Sequence, residues 1–349
     1  MRSSTHACAT EMALLEIHDL RVSFQTRDGI VRAVDGVSLA VDRGRTLGLV
    51  GESGSGKSVT ALTVMGLTKL PNASIDGKIL FDGIDLLQIS PAELRRIRGK
   101  RVAMIFQDPL SSLHPLHKIG WQIEEAINAH EDVSGKVARR RALEALKEVG
   151  IPSASDRLDS YPHELSGGMR QRVMIAIALV LDPEILIADE PTTALDVTVQ
   201  AQILDLIRAL QDERGTGVVL ITHDLGVVAE TADEVAVMYA GRIAERGPLE
   251  SVLEAPEHPY TWGLLQSLPR LDAPRSERLH PISGQPPSLI RVPSGCAFHP
   301  RCPYAFGICP QVVPPLLVSQ PGREVACHLP VTTRRGIGRE VASKEVSVG

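Results

Sequence analysis

The run Gly51-Glu52-Ser53-Gly54-Ser55-Gly56-Lys57-Ser58 constrains this chain more than any other feature. It fits G-x-x-x-x-G-K-S and joins an apolar run at 46–50 to a helical pattern at 57–65. A glycine-rich turn between a strand and a helix directs backbone N–H groups inward around phosphate oxygens, and the helix N-terminus adds partial positive charge. In that setting Lys57 neutralises β- and γ-phosphate charge and the Ser58 hydroxyl takes Mg2+. Gly51, Ser53, Gly54, Ser55, Gly56 and Val59 complete the expected nucleotide contacts. A glycine-rich turn with a surface lysine is the bland alternative, and the flanking strand and helix weigh against it.

Short β-branched runs alternate with longer helical patterns, which predicts an α/β fold with crossover helices on a largely parallel sheet. Strands are expected at 15–24, 37–40, 46–50, 78–81, 101–106, 185–188, 218–222 and 234–239. Helices are expected at 57–65, 90–97, 120–129, 136–149, 168–181, 197–213 and 225–231. The stretch 109–165 lacks strand signals and reads as a helical insert. Beyond Pro256 the composition turns Pro- and Gly-rich, predicting a small module of loops at 256–332. The ends, 1–12 and 333–349, are expected to be a disordered tail and a frayed tail. Met12 is an alternative translation start.

The apolar run 185–188 ends in Asp189-Glu190. Asp189 is expected beside the Mg2+ site, and Glu190, one residue on, within reach of an attacking water as general base. Such a pair on a lone strand is commonly a solvated strand end; the phosphate loop upstream changes that weighting. Leu165-Ser166-Gly167-Gly168-Met169-Arg170-Gln171-Arg172 opens a helix, and its small residues make a second place where an anion can approach backbone N–H groups. Taken alone it is also a simple N-cap.

The chain has 349 residues, 43% hydrophobic and 3% aromatic, with net charge −5. That length holds one large domain and a smaller appendage around an aliphatic core. The weakly acidic balance gives no electrostatic footprint for nucleic acid. The longest apolar run, 173–181, is too short to span a bilayer, which needs about 20 residues. The first eleven residues have no hydrophobic segment of a secretory signal. A cytoplasmic protein is therefore expected, acting on a membrane only through other chains.

The loop GESGSGKS, the strand end LIADE and the signature LSGGMRQR resemble, together and in order, the ATPase subunits of ABC transporters. The resemblance implies further roles. Gln107 matches the Q-loop and would join Ser58 and Asp189 at Mg2+. Asp196, in Ala194-Leu195-Asp196, matches the D-loop. His223 matches the switch histidine, in contact with the γ-phosphate and Glu190. Phe24 lies where the family stacks an aromatic on adenine. Two such domains would pack head to tail, with Ser166, Gly167 and Gly168 binding the partner's nucleotide. Taken singly, His223, Gln107 and Phe24 each have ordinary readings as strand-end, loop and core residues.

A narrower resemblance, to the oligopeptide/dipeptide importer branch, rests on Met104-Ile105-Phe106-Gln107-Asp108-Pro109 with Ser111-Ser112-Leu113, on Asp189–Gln200, and on His258-Pro259-Tyr260-Thr261-Trp262-Gly263-Leu264-Leu265. His114 departs from it, standing where the branch carries Asn. The branch implies two membrane permease subunits, a second ATPase subunit, identical or homologous, and an extracytoplasmic solute-binding protein, with this chain peripheral on the cytoplasmic membrane face. Import of nickel or another small solute, export, and a non-transport ABC ATPase are the competing readings. One copy of each motif and no heptads oppose the last, and intact Glu190 and His223 oppose a non-catalytic regulator.

Cys296, Cys302, Cys309 and Cys327 are four of the five cysteines and lie in the Pro-rich module. In a cytosolic chain four clustered cysteines favour a metal over disulfides, and a small module without a core needs a staple. Their spacing, C-x5-C-x6-C-x17-C, lacks the short pairs of common zinc sites. The peptide-importer resemblance implies a [4Fe–4S] cluster for some members; zinc and reduced thiols are the alternatives. His299 and His328 adjoin these positions, and Cys8 lies in the tail.

Overall fold

The computed structural model describes residues 13–192, 197–267 and 282–346. Asp196, Cys8 and Met12 lie outside the described residues. Two sheets carry the fold. A four-stranded antiparallel sheet has the order β2-β1-β4-β5, formed by β1 (Leu15–Thr26), β2 (Gly29–Val41), β4 (Ala73–Phe81) and β5 (Ile84–Asp85). The main sheet has the order β11-β12-β10-β9-β3-β8-β7-β6. Its parallel part is β9 (Glu234–Tyr239), β3 (Thr46–Val50), β8 (Gly217–Thr222), β7 (Ile185–Asp189) and β6 (Val102–Ile105). The antiparallel edge is β10 (Arg242–Pro248), β12 (Arg323–Val325) and β11 (Leu317–Gln320).

The parallel strands β3, β7 and β8 are buried along their whole length, so their sequences are continuous apolar runs rather than alternating ones. One core lies between the two sheets, built from Leu20, Val22, Ile79 and Phe81 against Leu47, Leu49, Ile187 and Ile221. A second lies under the helical segment, where Ile119, Ile123 and Ile127 of helix Ile119–Asn128 meet Ala138, Ala142 and Leu146 of helix Gly135–Glu148 and Val173 and Ile175 of helix Gly167–Leu179. No strand falls between β6 and β7 among the described residues.

The C-terminal region departs from expectation. Instead of loops ending in a frayed tail, it adds β11 and β12 to the main sheet through β10 and closes with a helix, Val331–Val346, packed on helix Pro259–Gln266. That helix can lie flat because Gly338 has no side chain: a Cβ there would stand 1.8 Å from the Pro256 carbonyl oxygen. Its polar, glycine-containing sequence disguised it as a tail. Arg242, Glu245 and Arg246 break the apolar pattern of β10, so its sequence does not read as a strand. Among the described residues no helix is long and apolar enough to cross a membrane.

Candidate active site

The carboxyl ends of four adjacent parallel strands, β3, β8, β7 and β6, form one rim, and open α/β sheets bind ligands at that edge. The phosphate loop follows β3 and runs into helix Lys57–Val64. Gly51 is at φ 154, and a Cβ there would lie 2.2 Å from the Met238 carbonyl oxygen, so only glycine lets the loop turn against β9. The Lys57 ammonium is buried and rests on the Gly51 carbonyl (2.6 Å), the Glu52 carbonyl (3.0 Å) and the Ser55 hydroxyl (3.4 Å). Burial lowers its pKa, while the charges of Glu190, Asp189 and Glu52 hold it up. A cation kept on weak carbonyl acceptors is poised for exchange onto phosphate oxygens, which are stronger partners.

Asp189 ends β7, 3% exposed. The Ser58 hydroxyl stands beside the carboxylate and favours its charged form, and Oδ1 is buried without a hydrogen-bond partner. Burial pushes this carboxyl up, and the Glu190 charge adds to it, against the Ser58 hydrogen bond and Lys57. A desolvated carboxylate with an orphan oxygen beside a serine hydroxyl fits a hard divalent cation such as Mg2+, which takes oxygen ligands.

Glu190 follows at φ 48, a left-handed conformation, with its N–H on the Ile221 carbonyl oxygen of β8 (2.8 Å). That turn swings its carboxylate out of the strand. Gln107 Nε2 donates to it at 3.0 Å, and His223 Nδ1 stands 3.4 Å away. Gln107 and Glu190 are 83 residues apart and His223 is 33 further on, so β6, β7 and β8 alone bring the three together. The carboxylate is 13% exposed while His223 is 59% exposed, which leaves this face open to water and substrate. A carboxylate so held can accept a proton from, or orient, a water aimed at a phosphate in the loop.

Ser166 caps helix Gly167–Leu179 by accepting from the Met169 N–H at 3.3 Å. Ser166 and Gly167 are exposed, and Gly168 is half-buried. A Cβ on Gly167 would meet nothing within 4 Å. Gln171, 1% exposed, donates to the Pro191 carbonyl (2.8 Å) and ties this helix to the residue after Glu190. The sequence signals this tie only through a Gln placed among the apolar residues of the helix. Phe24 lies on β1, half-buried against the inter-sheet core.

In the C-terminal module Cys302 is raised to about 12 by burial first and by the neighbouring Cys327, Cys296 and Cys309 thiols next, and Cys327 to about 11 for the same leading reason. Cys296 N–H donates to the Cys309 carbonyl at 2.7 Å. The thiols thus share one neighbourhood. Among the described residues, no group of three or more His, Cys, Asp or Glu side chains is placed to hold a metal ion.

Residues 34–193 match the family described as ABC transporter, and residues 244–309 match the family described as oligopeptide/dipeptide transporter, C-terminal region. The chain is 52% identical over 304 residues to the oligopeptide transport ATP-binding protein OppD of Bacillus subtilis, covering 87% of this chain and 85% of that protein. It is 49% identical over 320 residues to the dipeptide transport ATP-binding protein DppD of Escherichia coli, covering 92% and 98%. Among solved structures, a dimeric ATP-binding cassette in a post-hydrolysis state with ADP and Pi aligns with TM-score 0.62 and 30% identity, over 67% of this chain and 98% of that one.

Proposed function

The chain belongs to the ATP-binding subunits of ABC transporters, in the oligopeptide/dipeptide branch, and from that premise we propose that it hydrolyses ATP to drive peptide import through separate membrane subunits. The observation that carries the catalytic half is the convergence of Lys57, Asp189, Glu190, Gln107 and His223 on the rim of one parallel sheet.

Gly51, Ser53, Gly54, Ser55, Gly56, Ser58 and Val59 seat the triphosphate, with Lys57 moving from the Gly51 and Glu52 carbonyls to the β- and γ-phosphates. Ser58, Asp189 and Gln107 would hold Mg2+, which neutralises charge on the phosphates when bound. Glu190 takes the proton of the attacking water while Gln107 and His223 fix its carboxylate. Phe24 is the adenine platform. Ser166 and Gly167 are exposed and Gly168 half-buried at a helix N-terminus, which suits binding of the γ-phosphate held by a second ATPase subunit, and the family motif assigns Asp196 to the same junction. Closing two such subunits on ATP and releasing them after hydrolysis is the motion that would be passed to the permease pair.

The surface beyond Gln107 supports docking to those permeases. Leu116 is 78% and Trp121 47% exposed, and His114, His117 and Trp121 form a run of ring contacts at 4.5 and 3.9 Å. Location on the cytoplasmic membrane face and delivery by an extracytoplasmic solute-binding protein follow from this reading. For Cys296, Cys302, Cys309 and Cys327 we propose a [4Fe–4S] cluster, which takes one thiolate per iron, supported by the mutual proximity of these thiols. Protein purified without oxygen is then brown and contains iron; a colourless, iron-free preparation excludes the cluster.

The test of the import reading is capture from native membranes on this chain. Two polytopic membrane proteins and a second ATPase, with hydrolysis raised by a peptide-loaded binding protein, are expected. Stimulation by nickel or another small solute instead of peptide would reassign the cargo, and capture without any membrane protein would end the transport reading.

A further inference from the structure

The phosphate loop is gripped from outside the ATPase sheet. Glu52, its second residue, belongs to no expected catalytic group. Its carboxylate pairs with both terminal nitrogens of Arg301, at 2.5 and 2.9 Å, across 249 residues. Its N–H donates to the Tyr260 hydroxyl at 2.7 Å, and its carbonyl accepts from Lys57 at 3.0 Å. Arg301 closes the short turn His299–Arg301 between Cys296 and Cys302, and its side chain is 5% exposed. Its Nε donates to the Ser283 carbonyl at 3.0 Å, so the guanidinium is fixed from behind. Tyr260 is fully buried on helix Pro259–Gln266, within an aromatic group that includes Tyr239 and Phe298. Both anchors therefore belong to the C-terminal extension.

The charges give these contacts a purpose. Glu52 places a carboxylate in the loop that must receive a triphosphate, close enough for its charge to act on Lys57. Unpaired, that carboxylate repels the incoming phosphates. A bidentate guanidinium cancels it and holds the Glu52 peptide in place before nucleotide arrives.

We propose that Arg301 and Tyr260 are positioning residues for ATP: the C-terminal extension neutralises and pre-shapes the phosphate loop through Glu52, and so sets the affinity of the ATPase for nucleotide. The proposal rests on the reading of the loop as the ATP site. Steady-state hydrolysis by the full transporter complex tests it, using wild type, Arg301→Gln, Glu52→Gln/Arg301→Gln, Tyr260→Phe and Lys57→Ala. Removing Arg301 alone should raise the KM for ATP about tenfold with kcat at saturating ATP kept, as for loss of ground-state and transition-state binding together. The double variant, which also removes the repelling charge, should return KM to within about threefold of wild type. Tyr260→Phe, which loses one hydroxyl and no volume, should raise KM about threefold. Rescue by the second substitution separates charge cancellation from general damage, since lost packing would not be repaired by neutralising Glu52. An unchanged KM in both Arg301→Gln and Tyr260→Phe, or a rise in Arg301→Gln that Glu52→Gln does not relieve, overturns the proposal while an active wild type and an inactive Lys57→Ala leave the ATPase reading standing. A wild type without turnover takes down both.

Discussion

Asp189 and His258 are both held away from their solution behaviour by burial, with different consequences. Asp189 keeps an orphan oxygen at the site where a cation is expected, so its cost is part of the chemistry. His258 is structural: its Nδ1 accepts from the Tyr260 N–H at 3.0 Å and caps the helix that carries Tyr260. Burial, reinforced by the Arg334 charge, lowers its pKa from 6.5 to about 3. With the folded pKa below the unfolded one, the stability it provides is complete above pH 6.5 and declines as pH falls toward 3. Thermal unfolding should therefore lose stability from pH 6.5 to pH 4, on the order of a few kcal/mol, and His258→Gln should flatten that slope. An equally steep slope in the variant would contradict the assignment. Asp189 and Glu190 are legible in the sequence because two carboxylates end an apolar run, which places both at one strand end. The sequence does not announce Glu52, Tyr260 or Arg301, whose meeting depends on how the C-terminal extension docks.

That docking rests on a buried ionic cluster. Arg323 and Glu245, both 0% exposed, pair directly, β12 to β10. Glu245 also accepts from the Glu257 N–H (2.8 Å), the His258 N–H (2.9 Å) and the Thr261 hydroxyl (2.7 Å), and Arg323 donates to the Ser251 and Ala255 carbonyls. Glu257 receives Arg334 and Arg335 from the final helix at 3.3 and 3.1 Å. One carboxylate thus satisfies the backbone ahead of helix Pro259–Gln266 while holding β12. Removing one member of a buried pair strands the other, so Glu245→Ala should cost about 3–5 kcal/mol, seen as an early unfolding step of the extension by calorimetry. Unfolding indistinguishable from wild type would show that the cluster does not hold the extension. These same charges hide β10 and the last helix from pattern reading, because a strand whose apolar run is broken by a buried carboxylate looks like a loop until its partners are known. The parallel strands were legible for the opposite reason: burial on both faces leaves an uninterrupted apolar run.

Under the proposed reading, this chain supplies half of each composite ATP site. The phosphate loop, the acidic strand end, Gln107 and His223 converge on one rim, whereas Ser166 and Gly167 face solvent on the helical segment. A second subunit presenting the same surfaces in reverse would complete both sites, and turnover would then report assembly as well as chemistry. Glu190 is where these demands meet: its left-handed turn costs of order 1–3 kcal/mol and is pinned by its N–H on the Ile221 carbonyl oxygen. ATP hydrolysis by the complex captured from membranes, wild type against Glu190→Gln, is the decisive measurement. ATP binding retained with turnover reduced by at least about a hundredfold is the predicted result; hydrolysis persisting at the wild-type rate would contradict it.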